Sequence, residues 1–351
     1  MSANDQILNL TIRHQFYLSR LGSGNASKAV ELIQSAIEDI EAELGRRWNK
    51  IQRTNSLSAK EQQMNELVLA LVALRNDILG VVEKDLKKDL KAVALFESEF
   101  AVSSFEAVAA GIAYKQPSID KIKALVTEVL VDGRTIKSHF KTFRRSERDT
   151  IERLVKLGVV RNQSYDEITQ EVVKHVDKSA RDIKALVTTA TSDMATRARV
   201  ASLRQMDVVK GWKIVATLDT KTSPECMRRD NTVLPYDSTD FPPYHYNCRT
   251  TVVAVTKSWR EMGIDRDELD AGTRASMSGQ VPQDLSYGDW LKTQPYRVQV
   301  DALGRTRAAL FRQGELAIDK LIDKSDYSFF TVKELKSRYQ SRFPEIFEKA
   351  A

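Results

Sequence analysis

Cysteine is nearly absent from this 351-residue chain: Cys226 and Cys248 stand alone, too few for a disulfide framework. Proline is scarce and uneven, with Pro117 alone before Pro224, then Pro235, Pro242, Pro243, Pro282, Pro295 and Pro344. Because proline interrupts helix interiors, residues 1 to 210 read as almost entirely helical and the remainder as turns and short strands. Long apolar runs are missing as well. The longest, Leu67 to Leu74, is far short of the roughly 20 residues of a membrane-spanning helix, so neither a transmembrane segment nor a membrane partner is expected. The opening Met-Ser-Ala-Asn-Asp-Gln has neither the basic nor the apolar region of a secretory signal, which points to synthesis in a cytoplasm. Charge is not one-sided: 54 Lys and Arg against 48 Asp and Glu leave +6, useful to an acidic partner only if it clusters.

What is present is helical periodicity. Val30, Ile33, Ile37, Ile40 and Leu44 form one apolar stripe, which Gly45 is expected to end. Ser58-Ala-Lys-Glu61 has the form of a capping box, and Leu67, Leu71, Leu74, Ile78 and Val82 continue a largely buried face behind it. Ser118-Ile-Asp120 restarts a helix after Pro117. No strict heptad persists and no fixed-period repeat is visible, which favours a bundle or extended arm over a coiled coil.

Trp212 to Leu218 and Thr250 to Val255 turn β-branched and aromatic and read as two strands. They bracket a loop too long to stand in a compact domain without support. Inside it lie Cys226, His245 and Cys248, and thiolate and imidazole are the preferred donors for tetrahedral zinc. A fourth ligand is sought in Asp219 first, with Asp230, Asp237 and Asp240 as alternatives. Two other readings compete: buried cysteines beside a hydrogen-bonded histidine, and Cys248 as a nucleophile activated by His245. The second lacks an evident orienting partner or oxyanion turn.

The run Trp212 to Asp219, then Thr222-Ser-Pro224-Glu-Cys226, Asp230-Asn231, and Pro242-Pro243-Tyr-His245-Tyr-Asn-Cys248-Arg249, resembles the signature of phage Mu F-like head morphogenesis proteins. Asn231 stands where that family usually has Gly, and Thr188 to Asp193 replaces a Thr-Glu pair on the preceding helix. Asn tolerates a left-handed turn, so the geometry can survive. Segments around Asp289-Trp290, Gly304-Arg305 and Thr331 look like the C-terminal extension of phage minor head proteins, extending the likeness over about residues 150 to 340. Their own pattern is a helix, a Gly turn, a helix from Arg305 to Gln313 and a capped helix from Thr331.

The resemblance implies a non-enzymatic minor capsid protein acting in procapsid assembly near the portal. Portal, capsid or scaffold proteins would be its partners, and its location the virion after assembly in the host cytoplasm. The alternative is a zinc-dependent hydrolase or nuclease using the Cys/His loop, although no H-E-x-x-H helix is present and Glu225 is the loop's single glutamate.

Between Arg134 and Arg161 nine basic residues meet three acidic ones. Lys137, Lys141, Arg144 and Arg148 recur on one helical face with Arg145 beside them, while Ile136, Phe140 and Phe143 form an adjacent apolar stripe. Lys137, Lys141, Arg144, Arg145 and Arg148 are therefore candidate contacts to a double-stranded DNA backbone, without base specificity. A solvated face balanced by acidic neighbours is the alternative. The expected fold class is α+β and predominantly α-helical, with long N-terminal helices before a small mixed domain containing a short antiparallel sheet and the Cys/His loop. The expected divisions are an arm over 1–116, a basic helical segment over 117–210, the Mu F-like core over 211–270 and a helical extension over 271–351.

Overall fold

The computed structural model describes residues 3–106, 117–258, 260–261, 272–313 and 316–348. It has the expected class, mostly helical with small antiparallel sheets. The divisions expected at 116 and 270 fall outside the described residues.

Two long helices open the chain, α1 (Ala3–Arg53) and α2 (Leu57–Glu106). The α1 stripe does not stop at Gly45, because Trp48 and Ile51 continue the buried face beyond it. That burial outweighs the roughly 1 kcal/mol a helical glycine costs relative to alanine. The start of α2 is capped by Ser56 rather than Ser58: the Ala59 N–H donates to Ser56 Oγ at 3.4 Å. Ser118 caps α3 (Ile119–Glu128) as its sequence suggests, accepting from Lys121 N–H. A hairpin not foreseen follows, β1 (Leu130–Val131) and β2 (Arg134–Thr135). Its turn places Asp132 and Gly133 at φ 51° and 68°, the pair of left-handed residues that a tight hairpin needs.

α4 (Ile136–Val160) and α5 (Tyr165–Leu203) complete a bundle with α1 and α2 around Ile33, Trp48, Leu71, Leu90, Phe140 and Ile183. Ser164 and Glu167 form a reciprocal capping box at the start of α5. The bundle encloses a charge network as well as apolar side chains. Arg75 of α2 donates to Glu147 of α4 at 2.9 Å, and Ser179 and His175 of α5 approach the same carboxylate at 2.6 and 3.0 Å.

After α5 come β3 (Val209–Val215), α6 (Pro224–Arg229), β4 (Val233–Pro235) and β5 (Thr251–Thr256). The strands form one antiparallel sheet in the order β4-β3-β5. β3 begins three residues before Trp212 and ends before Leu218, and β4 is an additional edge strand inside the loop. Gly211 is required there, since a Cβ would stand 2.8 Å from the Leu234 carbonyl oxygen. Ile7, Leu8, Val102 and Phe105 of the two long helices join Trp212, Ile214 and Val252 in the core under this sheet, so the arm and the sheet pack together.

The C-terminal part consists of a hairpin, β6 (Thr273–Ser276) with β7 (Gly279–Pro282), then α7 (Tyr287–Thr293), α8 (Tyr296–Leu303), α9 (Arg305–Gln313), α10 (Val332–Tyr339) and α11 (Pro344–Glu348). Its own core holds Tyr287, Trp290, Phe311, Leu335 and Phe347. Gly304 at φ 78° separates α8 from α9, and Thr331 caps α10, as expected. Among the described residues no helix is long and apolar enough to cross a membrane.

Burial opposes the charge of Glu147, but hydrogen bonds from His175, Arg75 and Ser179 outweigh it and hold the carboxyl at about 2. A lowered folded-state pKa contributes stability that is complete above the ordinary value of 4.5 and is lost as pH falls toward about 2. Urea unfolding of wild type should therefore weaken over that window. Glu147→Gln should weaken the fold by about 3–5 kcal/mol at neutral pH, because it leaves Arg75 buried without its charge partner. The variant should also lose much of the wild-type decline between pH 4.5 and 2.

Candidate metal centre

The stretch from Ala216 to Thr250 begins where β3 ends and returns to the sheet at β5. Its parts are held differently: Leu218 and Met227 enter the C-terminal core, Leu234, Phe241 and Tyr244 pack against the core under the sheet, and around the Cys/His group the buried apolar side chains are Ala216, Cys226 and Cys248. Polar groups take over. Ser223 caps α6, accepting from Cys226 N–H, and Pro224 occupies the first helical turn, where its missing donor is harmless. That short helix points Cys226 inward. A turn in which Cys248 N–H donates to the His245 carbonyl at 3.2 Å brings the other two donors beside it. The loop is also fastened to the bundle, because Thr189 Oγ1 of α5 accepts from Asn247 N–H at 2.9 Å.

Cys226, His245 and Cys248 meet as their spacing suggested, with ligand atoms within 4.8 Å of one another. Cys226 Sγ lies 3.6 Å from Cys248 Sγ and 3.3 Å from His245 Nε2. Donors around a tetrahedral zinc, with Zn–S about 2.3 Å and Zn–N about 2.0 Å, stand roughly 3.5–3.8 Å apart, so the spacing fits the ion closely. His245 Nδ1 lies 2.9 Å from the Tyr246 carbonyl. A carbonyl can only accept, so Nδ1 carries the hydrogen and the Nε2 lone pair is directed at the sulfurs, the orientation typical of a histidine ligand.

The electrostatics suit a cation. A hydrogen bond from Cys226 lowers Cys248 to about 4 against the burial that opposes it, and His245 adds to the effect. The same contact with Cys248, together with burial, pushes the Cys226 thiol up, and His245 is raised through its hydrogen bond to Cys248.

Asp219 does not join them, which corrects the expected four-ligand set. Its carboxylate faces Arg249, with Nη2 to Oδ1 at 2.8 Å, and accepts from Lys221 N–H at 2.9 Å. Burial resists the Asp219 charge, but Arg249 holds its carboxyl below the usual range. The alternatives are engaged elsewhere or remote. Asp230 accepts from Ala216 N–H at 2.8 Å, from Arg274 Nη2 at 2.6 Å and from Tyr287 N–H at 2.7 Å. Asp240 pairs with Arg229, and Asp237 is exposed outside the three-donor group. Asn231 follows at φ 64°, the left-handed conformation that asparagine tolerates.

On α4 the apolar stripe behaves as expected, with Ile136 and Phe140 buried and Phe143 partly so. Lys137, Lys141, Arg145 and Arg148 are exposed. Arg144 differs: it is half-buried, pairs with Glu83 of α2 at 2.8 Å and lies 6.0 Å from the Phe140 ring centre. Arg145 stands 3.7 Å from Asp149. Cations overlooked in the sequence, Lys174, Lys178 and Arg181 of α5, line a cavity of about 470 Å³ in the α4–α5 groove together with Arg153 and with Glu147, Glu171 and Asp182. Their signal was the spacing of 174, 178 and 181, one face of a helix. Ser223 and Thr189 were also missed, since neither belongs to a ligand motif.

Residues 149–253 match the family described as Phage Mu protein F like protein, which bears out the resemblance over the latter part of α4, α5, the sheet and the Cys/His loop. A protein of Escherichia phage Mu described as "Putative capsid assembly protein F" is 26% identical over 162 residues, covering 37% of this chain. The match spans 37% of that relative's length. No solved structure matches.

Asp230 is the buried knot between loop, hairpin and α7, so Asp230→Asn should destabilise the chain by about 3–5 kcal/mol by stranding Arg274. Thermal unfolding checks this. An unchanged midpoint would mean that Arg274 finds another partner.

Proposed function

We propose that this chain is a phage head morphogenesis protein, a minor capsid component that joins procapsid assembly near the portal and remains in the virion. The match of residues 149–253 to Phage Mu protein F like protein carries this reading, supported by the capsid assembly description of the phage Mu relative. In this reading portal, capsid or scaffold proteins are the partners, and assembly takes place in the host cytoplasm. The long helices supply the docking surface, and the loop is a stiff fixture pinned by zinc through Cys226, His245 and Cys248.

Zinc would hold the two cysteine turns together and supply a positive centre for their thiolates. The chain's own residues prepare the site: Tyr246 orients the imidazole and α6 places Cys226. A catalytic use of the same donors, the hydrolase or nuclease alternative, would need room for a substrate. The cavity beside Cys226 and His245 is about 20 Å³, enough for about one water. Glu225, the glutamate nearest the donors in sequence, pairs with Arg229 at 3.1 Å. The first observation leaves a hydrolase or nuclease without room for its substrate, and both favour the structural role even where the metal keeps a solvent-sized open position.

Contact with packaged double-stranded DNA belongs to the same proposal. Lys137, Lys141, Arg145 and Arg148 are exposed along α4, and among the described residues Lys137, Lys141 and Arg148 form no ion pair. Such contacts would be sequence-independent.

Purified protein should retain close to one zinc per chain through gel filtration. Metal-free protein of unchanged stability would remove zinc from the account. Charge reversal at Lys137, Lys141, Arg145 and Arg148 should weaken duplex binding equally across sequences, and reduce its logarithmic salt slope by about 0.9 for each phosphate no longer neutralised. Wild-type binding by that variant would assign the basic face to another partner. Particles assembled without this chain at normal yield and infectivity would contradict the morphogenesis role.

A further inference from the structure

We infer that the metal centre has three protein ligands, and that its fourth position is occupied by solvent or a small anion held in the pocket beside Ser223. This rests on the zinc reading above and specifies its coordination.

Three observations carry it. The cluster that brings ligand atoms together contains Cys226, His245 and Cys248 and no carboxylate among the described residues. The nearby acids are engaged or remote: Asp219 is clasped by Arg249, Asp230 by Arg274 and Asp240 by Arg229, while Asp237 is exposed. Finally, the cavity of about 20 Å³ opens at Cys226 and His245 and is walled by hydroxyl and cationic side chains, among them Thr222, Ser223, Lys221 and Arg249. A space of that size holds about one water, and a water there has the polar partners it requires.

Ser223 is the positioning residue. Its Oγ lies 2.7 Å from His245 Nε2 and also accepts from Cys226 N–H. A metal taking the Nε2 lone pair displaces that contact and leaves the hydroxyl free to hold the incoming solvent oxygen. Lys221 on the same wall favours an anion over a neutral ligand, whereas Arg249 is already paired with Asp219. The pocket volume restricts the class to ligands of a few atoms, such as hydroxide or azide, and excludes a peptide or nucleotide.

Cobalt(II) added to the metal-depleted full chain separates the possibilities, because sulfur-to-cobalt charge-transfer absorption reports the thiolates and visible bands report the remaining ligands. The expected result is strong charge transfer, a shift of the visible bands on adding azide, and an unchanged spectrum in Asp219→Asn. Ser223→Ala should keep the charge transfer while altering the azide response. Absence of charge transfer would overturn the metal reading itself. Charge transfer with visible bands indifferent to azide would leave zinc in place and overturn the open position, as would an Asp219→Asn spectrum showing one ligand fewer. The azide measurement uses wild-type protein, so a folding failure of either variant does not remove the test.

Discussion

The stretch between β3 and β5 reaches hydrophobic cores through Leu218, Met227 and Phe241, but its end around His245 has only small buried apolar side chains and has to be held by something else. Fixing each backbone residue costs roughly 1–2 kcal/mol of conformational entropy, and burial of small side chains such as Ala216, Cys226 and Cys248 offsets little of that. The convergence of two sulfurs and one imidazole is the constraint on which the shape of this region depends. From it follow the inward face of α6, the turn at His245 and Cys248, and the return of the chain into β5. Asp230 performs the complementary task at the far side, tying the end of β3 to Arg274 and to the start of α7.

The bundle positions this fixture through buried polar pairs as well as apolar packing. Arg199 of α5 bonds Glu97 of α2 at 2.8 Å and also donates to the Val252 carbonyl of β5 at 3.3 Å, joining the long helices to the sheet. Such pairs add little net stability over a well-packed apolar substitute, but they strongly penalise the wrong register. An extended helical pair meeting a three-stranded sheet has many nearly equivalent sliding positions. Charges that must meet choose one of them, which fixes how the sheet sits on the long helices.

The elements governed by local pattern were legible in the sequence. Proline scarcity revealed the helices, β-branched runs revealed β3 and β5, and Cys/His spacing revealed the three donors. Long-range partners were not legible. Asp219 looked available until Arg249 approached from thirty residues away, and Arg144 looked like part of the basic face until α2 supplied Glu83. Helix α1 outran Gly45 because tertiary burial of Trp48 and Ile51 overrides local propensity. β4 escaped notice because it is three residues long and ends in Pro235, a residue tolerated only where an edge strand needs no donor.

A head assembly protein gains from a rigid, preorganised surface, since ordering a loop on contact would weaken every interface it makes. In the zinc reading proposed above, a metal would supply that stiffness at the end of the loop where the buried apolar side chains are only Ala216, Cys226 and Cys248. Hydrogen exchange across residues 216–250, compared with and without a zinc chelator, tests this most directly. The account predicts that chelation accelerates exchange in that stretch while α1, α2 and α5 remain protected. Equal protection of the loop in both states would contradict it.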